Sequence, residues 1–244
     1  MTEAVLYDFN DGLAQITLNR PEARNALNIA MCEALVAATR RAREDGARCV
    51  VVRAHGSVFC AGADLKERQG MGDDAVRARR LKAFAAYEAL ERLPMPAIAV
   101  VEGPAVGSGV EIAAACDFII ATPAASFRTP EALWGTVGAT QRLPRIIGKR
   151  LAKDLMFTGR ALGAEEAREA GLVARVLPPE SLDASIAEIT ATILKAPPAA
   201  MALAKRCVDE GLERDPRGAL ATEILAIEES LAAAEWRKKM QGFG

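Results

Sequence analysis

Residues 97–117, AIAVVEGPAVGSGVEIAAACD, open as an apolar β-branched run and pass through Gly103, Ala105, Gly107 and Gly109. They close as an apolar helix carrying one carboxylate, Glu111. A buried strand that leaves through a small-residue turn and re-enters as a helix is the repeating unit of a parallel α/β sheet. The turn also has a chemical character. The first amides of a helix have no partner within it, its positive end favours negative charge, and glycine lets a ligand approach the backbone. Such a turn suits an anion or a developing oxyanion. A carboxylate placed just behind it demands an explanation.

Three familiar motifs do not supply one. A dinucleotide fingerprint would need a small residue where Ile112 stands, and a phosphate-cradling loop would end in Gly-Lys-Ser/Thr. A nucleophile elbow around Ser108 would need glycines in place of Val106 and Val110, so Ser108 is not a nucleophile. Residues 49–65, CVVVRAHGSVFCAGADL, repeat the layout: a strand, then the small loop Cys60-Ala61-Gly62-Ala63, then Asp64. Two strand-exit loops of one sheet can aim two amides at one carbonyl oxygen. A third stretch, ASFRTPEALWG at 125–135, places Glu131 after Pro130 where a strand-like run gives way to a helix. Taken alone, Glu131 reads as a first-turn helix acid and Glu111 as an acid paired with a neighbouring arginine. Beside two donor loops, both become candidates for acid–base work.

The rest of the chain agrees with one α/β unit. Residues 5–20 read as a hairpin turning at Asn10-Asp11-Gly12. Asn28 can cap a helix to about residue 43 with Ile29, Leu35, Val36 and Thr39 on one face. CVVVRA is a buried strand, 73–92 a long helix, and FIIAT another strand. Alternation of this kind implies right-handed crossovers and a mainly parallel sheet. From Arg145 the pattern is nearly all helical, interrupted by GLVARVL and punctuated at Pro178-Pro179 and Pro197-Pro198.

Composition narrows the chemistry. The 244 residues are 51% hydrophobic and carry 31 basic against 32 acidic side chains, a net charge of -1, so no overall field draws nucleic acid or an anionic membrane. The five cysteines lack metal-ligand spacing, no basic-plus-apolar leader stands at the start, and no apolar run is long enough to span a bilayer. The expectation is a reduced, soluble, cytoplasmic protein without a metal site. Its one histidine, His55, lies in a turn-like RAHGS, so carboxylates, cysteines or amides must do any chemistry.

Taken in order, NRPEARNALN, FCAGADLKE, GPAVGSGVEIAAACD, FRTPE, TQRLPRIIGKRLAKDLMFTGR and AEEAREAGLV resemble the enoyl-CoA hydratase/isomerase, or crotonase, family. The resemblance implies an α/β crotonase-like spiral of ββα/βαβ units over 1–190 holding the active site. It implies a helical C-terminal trimerisation region over 191–244, and a homotrimer or dimer of trimers. The amides matching Ala63 and Ser108 would form the oxyanion hole, Ser108 standing where a glycine is commoner. Glu111 and Glu131 fall on the two glutamates of the hydratases. Coenzyme A would meet Arg24, Ala26, Leu27, Ala61, Asp64, Leu65 and Lys66. Arg128, Trp134 and Gly138 would belong to the acyl pocket. No cofactor is implied beyond the coenzyme A of the acyl-CoA substrate, and no nucleic acid or membrane partner. The loop ahead of TQRL, here GTVGA, is shorter than in most such proteins, which bears on acyl choice. Both glutamates favour hydration of an α,β-unsaturated thioester to a 3-hydroxyacyl-CoA. Isomerisation through the same enolate with one acid is the alternative, and a non-catalytic RNA-binding relative a more distant one.

Overall fold

The computed structural model describes residues 3–233 and residue 237. Of the expected helical region 191–244, residues 234–236 and 238–244 lie outside the described residues.

Strands β1 (Val5–Asn10) and β2 (Leu13–Leu18) form the expected hairpin. Asp11 (φ 49°) and Gly12 (φ 86°) both take positive φ, the mirror-type turn that follows the natural twist of paired strands. Helix α1 (Ile29–Glu44) starts where expected, because the Asn28 side chain accepts the Met31 amide. Its buried face differs from the expected one: Met31, Cys32, Leu35, Ala38, Thr39 and Ala42 are buried, Ile29 is half-buried and Val36 exposed. The inward stripe is made largely of small residues because α3 (Asp73–Glu91) packs closely along α1. Large side chains alone therefore mark the wrong angle.

After β3 (Cys49–Ala54), the short α2 (Leu65–Arg68) and α3, the chain runs through β4 (Ala97–Val101), β5 (Pro104–Val106), α4 (Ser108–Ala114), β6 (Phe118–Ala121) and β7 (Ser126–Arg128). A single 3-10 turn, Glu131–Trp134, follows. Then come α5 (Arg142–Ile147), α6 (Lys149–Thr158), β8 (Leu162–Gly163), α7 (Ala164–Glu169), β9 (Arg175–Val176), α8 (Pro179–Leu194), α9 (Pro198–Leu212) and α10 (Pro216–Ala233).

The main sheet has the order β1-β2-β3-β4-β6-β9, parallel everywhere except the β1–β2 hairpin. A smaller sheet orders β5-β7-β8. Successive side chains of a strand face opposite sides. Accordingly Val50, Val52, Ala97, Ala99 and Val101 join the main core, while Cys49, Val51, Ile98 and Val100 form a second cluster with Leu182 and Ile186 of α8. Burial of those last two side chains holds α8 to the sheet by about 1.5–3 kcal/mol each. No single described helix is long and apolar enough to cross a membrane.

Candidate active site

The two strand-exit loops meet backbone to backbone. Cys60 and Ala105 form a parallel bridge, and the Val106 amide donates to the Cys60 carbonyl at 2.9 Å. Gly109 makes this approach possible: a Cβ there would sit 2.5 Å from the Cys60 oxygen. On the first loop, Leu27 N–H donates to Gly62 O at 2.7 Å and Asp64 N–H to Leu27 O at 2.9 Å. In such a parallel bridge the intervening amide, that of Ala63, faces away from Leu27. On the second loop Ser108 is the first residue of α4, following Gly107 at φ 50°, ψ -106°. Among the described residues neither the Ala63 nor the Ser108 amide has a backbone acceptor, and both residues line one cavity.

Charged side chains hold the first loop from below. Asp64 caps α2 through the Lys66 and Glu67 amides at 3.1 and 3.2 Å and pairs with Arg20 at 3.1 Å. Burial works to raise its proton affinity. The Glu67 amide and Arg20 outweigh burial and hold the carboxyl below its ordinary range. Glu67 accepts the Ile29 amide at 2.9 Å and pairs with buried Arg79 at 2.7 Å, and Arg79 also reaches the Leu27 carbonyl. Buried Asn25, in the left-handed region at φ 52°, donates to His55 and Val58 carbonyls at 2.8 Å.

Six of the candidate positions lie off this cavity. Asp64 works as cap and ion pair, Leu27 is fully buried, Ala26 is half-buried, and Arg24 and Lys66 are exposed. Arg128 is exposed and is not among the residues facing the cavity, because its Nε donates to the Gly159 carbonyl and fastens β7 to the end of α6. Ala61, Ala63, Leu65, Ser108, Glu111, Glu131, Trp134 and Gly138 do line it.

The two glutamates have different surroundings. Glu111, buried in the first turn of α4, accepts Arg142 Nη1 at 2.8 Å, so the expected arginine partner exists. Arg142 also makes a two-pronged contact with Glu91, at 3.1 and 2.6 Å, and sits 5.8 Å from the centre of the Tyr87 ring. Among the described residues no such cation is bonded to Glu131. Its Oε2 is buried without a hydrogen-bond partner among the described residues. Burial pushes its proton affinity up and Glu111 adds to the rise, against smaller opposing effects of its own amide and Arg80. Gly107 and Gly138 make room for it: a Cβ at Gly107 would collide with Glu131 Oε1, and one at Gly138 would come within 3.0 Å of its Cγ.

The cavity, about 780 Å³ out to its mouth, is walled further by a face of α3 that sequence reasoning left unassigned. Val76, Arg80, Ala83, Phe84 and Tyr87 line it at helical spacing. Burial raises the proton affinity of the Tyr87 phenol, against a smaller lowering by the Ser108 side chain, which keeps it neutral. Among the described residues no cluster of His, Cys, Asp or Glu could hold a metal ion.

Fold and site define a crotonase-fold protein of coenzyme A thioester chemistry. Residues 8–244 match the family model described as enoyl-CoA hydratase/isomerase. The Mycosarcoma maydis enoyl-CoA isomerase/hydratase fer4 is 35% identical over 95% of this chain and 89% of its own. Mouse mitochondrial enoyl-CoA hydratase domain-containing protein 2 is 38% identical over 96% of this chain and 82% of its own. Among solved structures, the enoyl-CoA hydratase from Bacillus anthracis superposes with a TM-score of 0.94 at 36% identity, covering 98% of this chain and 95% of that one. A Thermobifida fusca YX protein solved in complex with acetoacetyl-CoA gives 0.86 at 27% identity, over 95% and 96%. The chain belongs to the enoyl-CoA hydratase/isomerase family.

Proposed function

We propose that the protein hydrates an α,β-unsaturated acyl-CoA to the 3-hydroxyacyl-CoA. The observation that carries this reading is the meeting of two unpaired loop amides and two unlike carboxyls in one cavity. The Ala63 and Ser108 amides donate to the thioester oxygen and stabilise the negative charge that develops there as the enolate forms. Glu111, hydrogen-bonded to the Arg142 guanidinium, takes the proton of a water as its oxygen bonds to Cβ. Glu131, whose burial favours its protonated form, delivers a proton to Cα. The acetoacetyl-CoA complex of the Thermobifida protein supports the ligand class. Arg24, Lys66 and the backbone of 61–66 are the proposed hold on coenzyme A. The exposed Val208, Leu212, Leu220 and Ile224 of α9 and α10 support assembly of copies through this region, as a trimer or a dimer of trimers.

The test follows loss of the conjugated thioester's ultraviolet absorbance. Glu111→Gln and Glu131→Gln should each lower kcat on the order of 10²–10⁴-fold with the fold intact. The double variant should lose far less than the product of the two, because the groups act together in one addition of water. Parental hydration by Glu131→Gln would end the two-carboxyl reading in favour of single-acid isomerisation.

A further inference from the structure

Arg80, which lines the cavity, holds the short segment before Thr140. It projects from α3 across the cavity mouth, where its Nη1 donates to the Val137 carbonyl and its Nη2 to the Thr136 hydroxyl at 2.6 Å. That segment in turn rests on Glu131. The Thr136 amide donates to the Glu131 carbonyl at 3.0 Å, and Gly138 packs against the Glu131 side chain. Where the loop is shorter than the family pattern leads one to expect, a side chain of α3 holds it.

We infer that Arg80 is a positioning residue for Glu131: its guanidinium pins the 136–138 segment over that carboxyl and supplies a counter-charge to it. The inference rests on the proposed role of Glu131 for its catalytic meaning, but not for its geometry.

The charges around Glu131 are few and distinguishable. Glu111 of α4 acts to raise its proton affinity and Arg80 of α3 to lower it. Arg142 is engaged with Glu111 and Glu91, and Arg79 with Glu67. Arg68 lines the cavity from α2. On α6, packed against the Glu131 turn, Lys149, Arg150, Lys153 and Asp154 point to solvent as exposed side chains. Arg80 and the Glu131 amide thus oppose burial and Glu111, and without the Arg80 charge the carboxyl would hold its proton more tightly.

The experiment compares Arg80→Ala, Arg80→Gln and Arg80→Lys with the parent, all ligand-free. Carbon-13 NMR follows the Glu131 carboxyl through its titration, assigned by its disappearance in Glu131→Gln. Hydrogen exchange follows the 136–138 amides. The midpoint should move to higher pH in Arg80→Ala and Arg80→Gln and return towards the parent in Arg80→Lys, and exchange at 136–138 should accelerate in Arg80→Ala. With enoyl-CoA, Arg80→Ala should lose on the order of 10–10²-fold in kcat, with the alkaline limb of the pH profile displaced upward. An unmoved midpoint in both uncharged variants, or unaltered exchange, overturns the inference. If Glu131→Gln hydrates at the parental rate, the hydratase reading falls, while titration and exchange still decide what Arg80 does.

Discussion

Substituting Gly107 by alanine separates two roles of one position. At φ 50° and ψ -106° the backbone there is in a region that a residue with a Cβ rarely adopts, and the added carbon would collide with Glu131 Oε1. Gly46, after α1, also has a positive φ of 70°, but a Cβ there would meet nothing within 4 Å. Both alanine variants should lose stability through backbone strain, each by about 1–3 kcal/mol, Gly107→Ala towards the upper end because its ψ lies outside the left-handed helical well. For a chain of this size each kcal/mol corresponds to about 2–4 °C in Tm. Only Gly107→Ala should lose catalysis beyond its loss of folded protein. The displaced carboxyl and the disturbed Ser108 amide should lower kcat on the order of 10²–10³-fold, comparable with losing one oxyanion donor. The assay is enoyl-CoA hydration per folded protein, with the folded fraction read from the unfolding curve at the assay temperature. Gly107→Ala with parental kcat, or Gly46→Ala with the same catalytic loss, would refute the assignment of Gly107 to the seat of Glu131.

Glu131→Gln should raise Tm at neutral pH. A folded-state proton affinity above the unfolded one adds stability that is lost as pH rises through the carboxylate range, so the gain from glutamine should shrink as pH falls below that range; a constant difference in Tm between pH 4 and 8 would count against it. Lys66→Ala should raise KM for acyl-CoA while leaving kcat nearly unchanged, the pattern of lost uniform binding, and an unchanged KM removes Lys66 from the site. A short glycine-rich insertion ahead of Thr140 should reorder kcat/KM across a panel of acyl-CoA substrates. Identical ranking would mean that the 136–139 segment is not part of the acyl wall.

The sequence made the architecture legible where local signals are strong. The hairpin turn at Asp11-Gly12, the Asn28 cap and the apolar runs of β3, β4 and β6 are each decided by a few neighbouring residues. The smaller sheet was not legible in the same way, because β5, β7 and β8 span three, three and two residues, too few for alternation to register. The site divides similarly. Small residues at the strand exits point to two donor loops, and the family resemblance narrows them to the Ala63 and Ser108 amides. Arg80 and Tyr87 could not be singled out, since α3 buries Arg79 while leaving Leu81 and Phe84 exposed, so which of its faces meets the cavity depends on its packing angle. Asp64 enters as a coenzyme A contact only through the family resemblance. Its role in capping α2 follows from the same position and uses Oδ1, while Oδ2 pairs with Arg20.

In the proposed reading the oxyanion donors are the main-chain amides of Ala63 and Ser108, which inverts the usual map of mutational tolerance around an active site. A saturation library should accept a range of side chains at Ala63 and Ser108, since any residue except proline presents the same N–H. It should reject nearly everything at Gly107 and Gly109, whose missing side chains leave room for Glu131 and for the Cys60 carbonyl. In this protein the positions with no functional group would then be the ones under the strictest selection, while a residue that touches the reacting oxygen is free to drift.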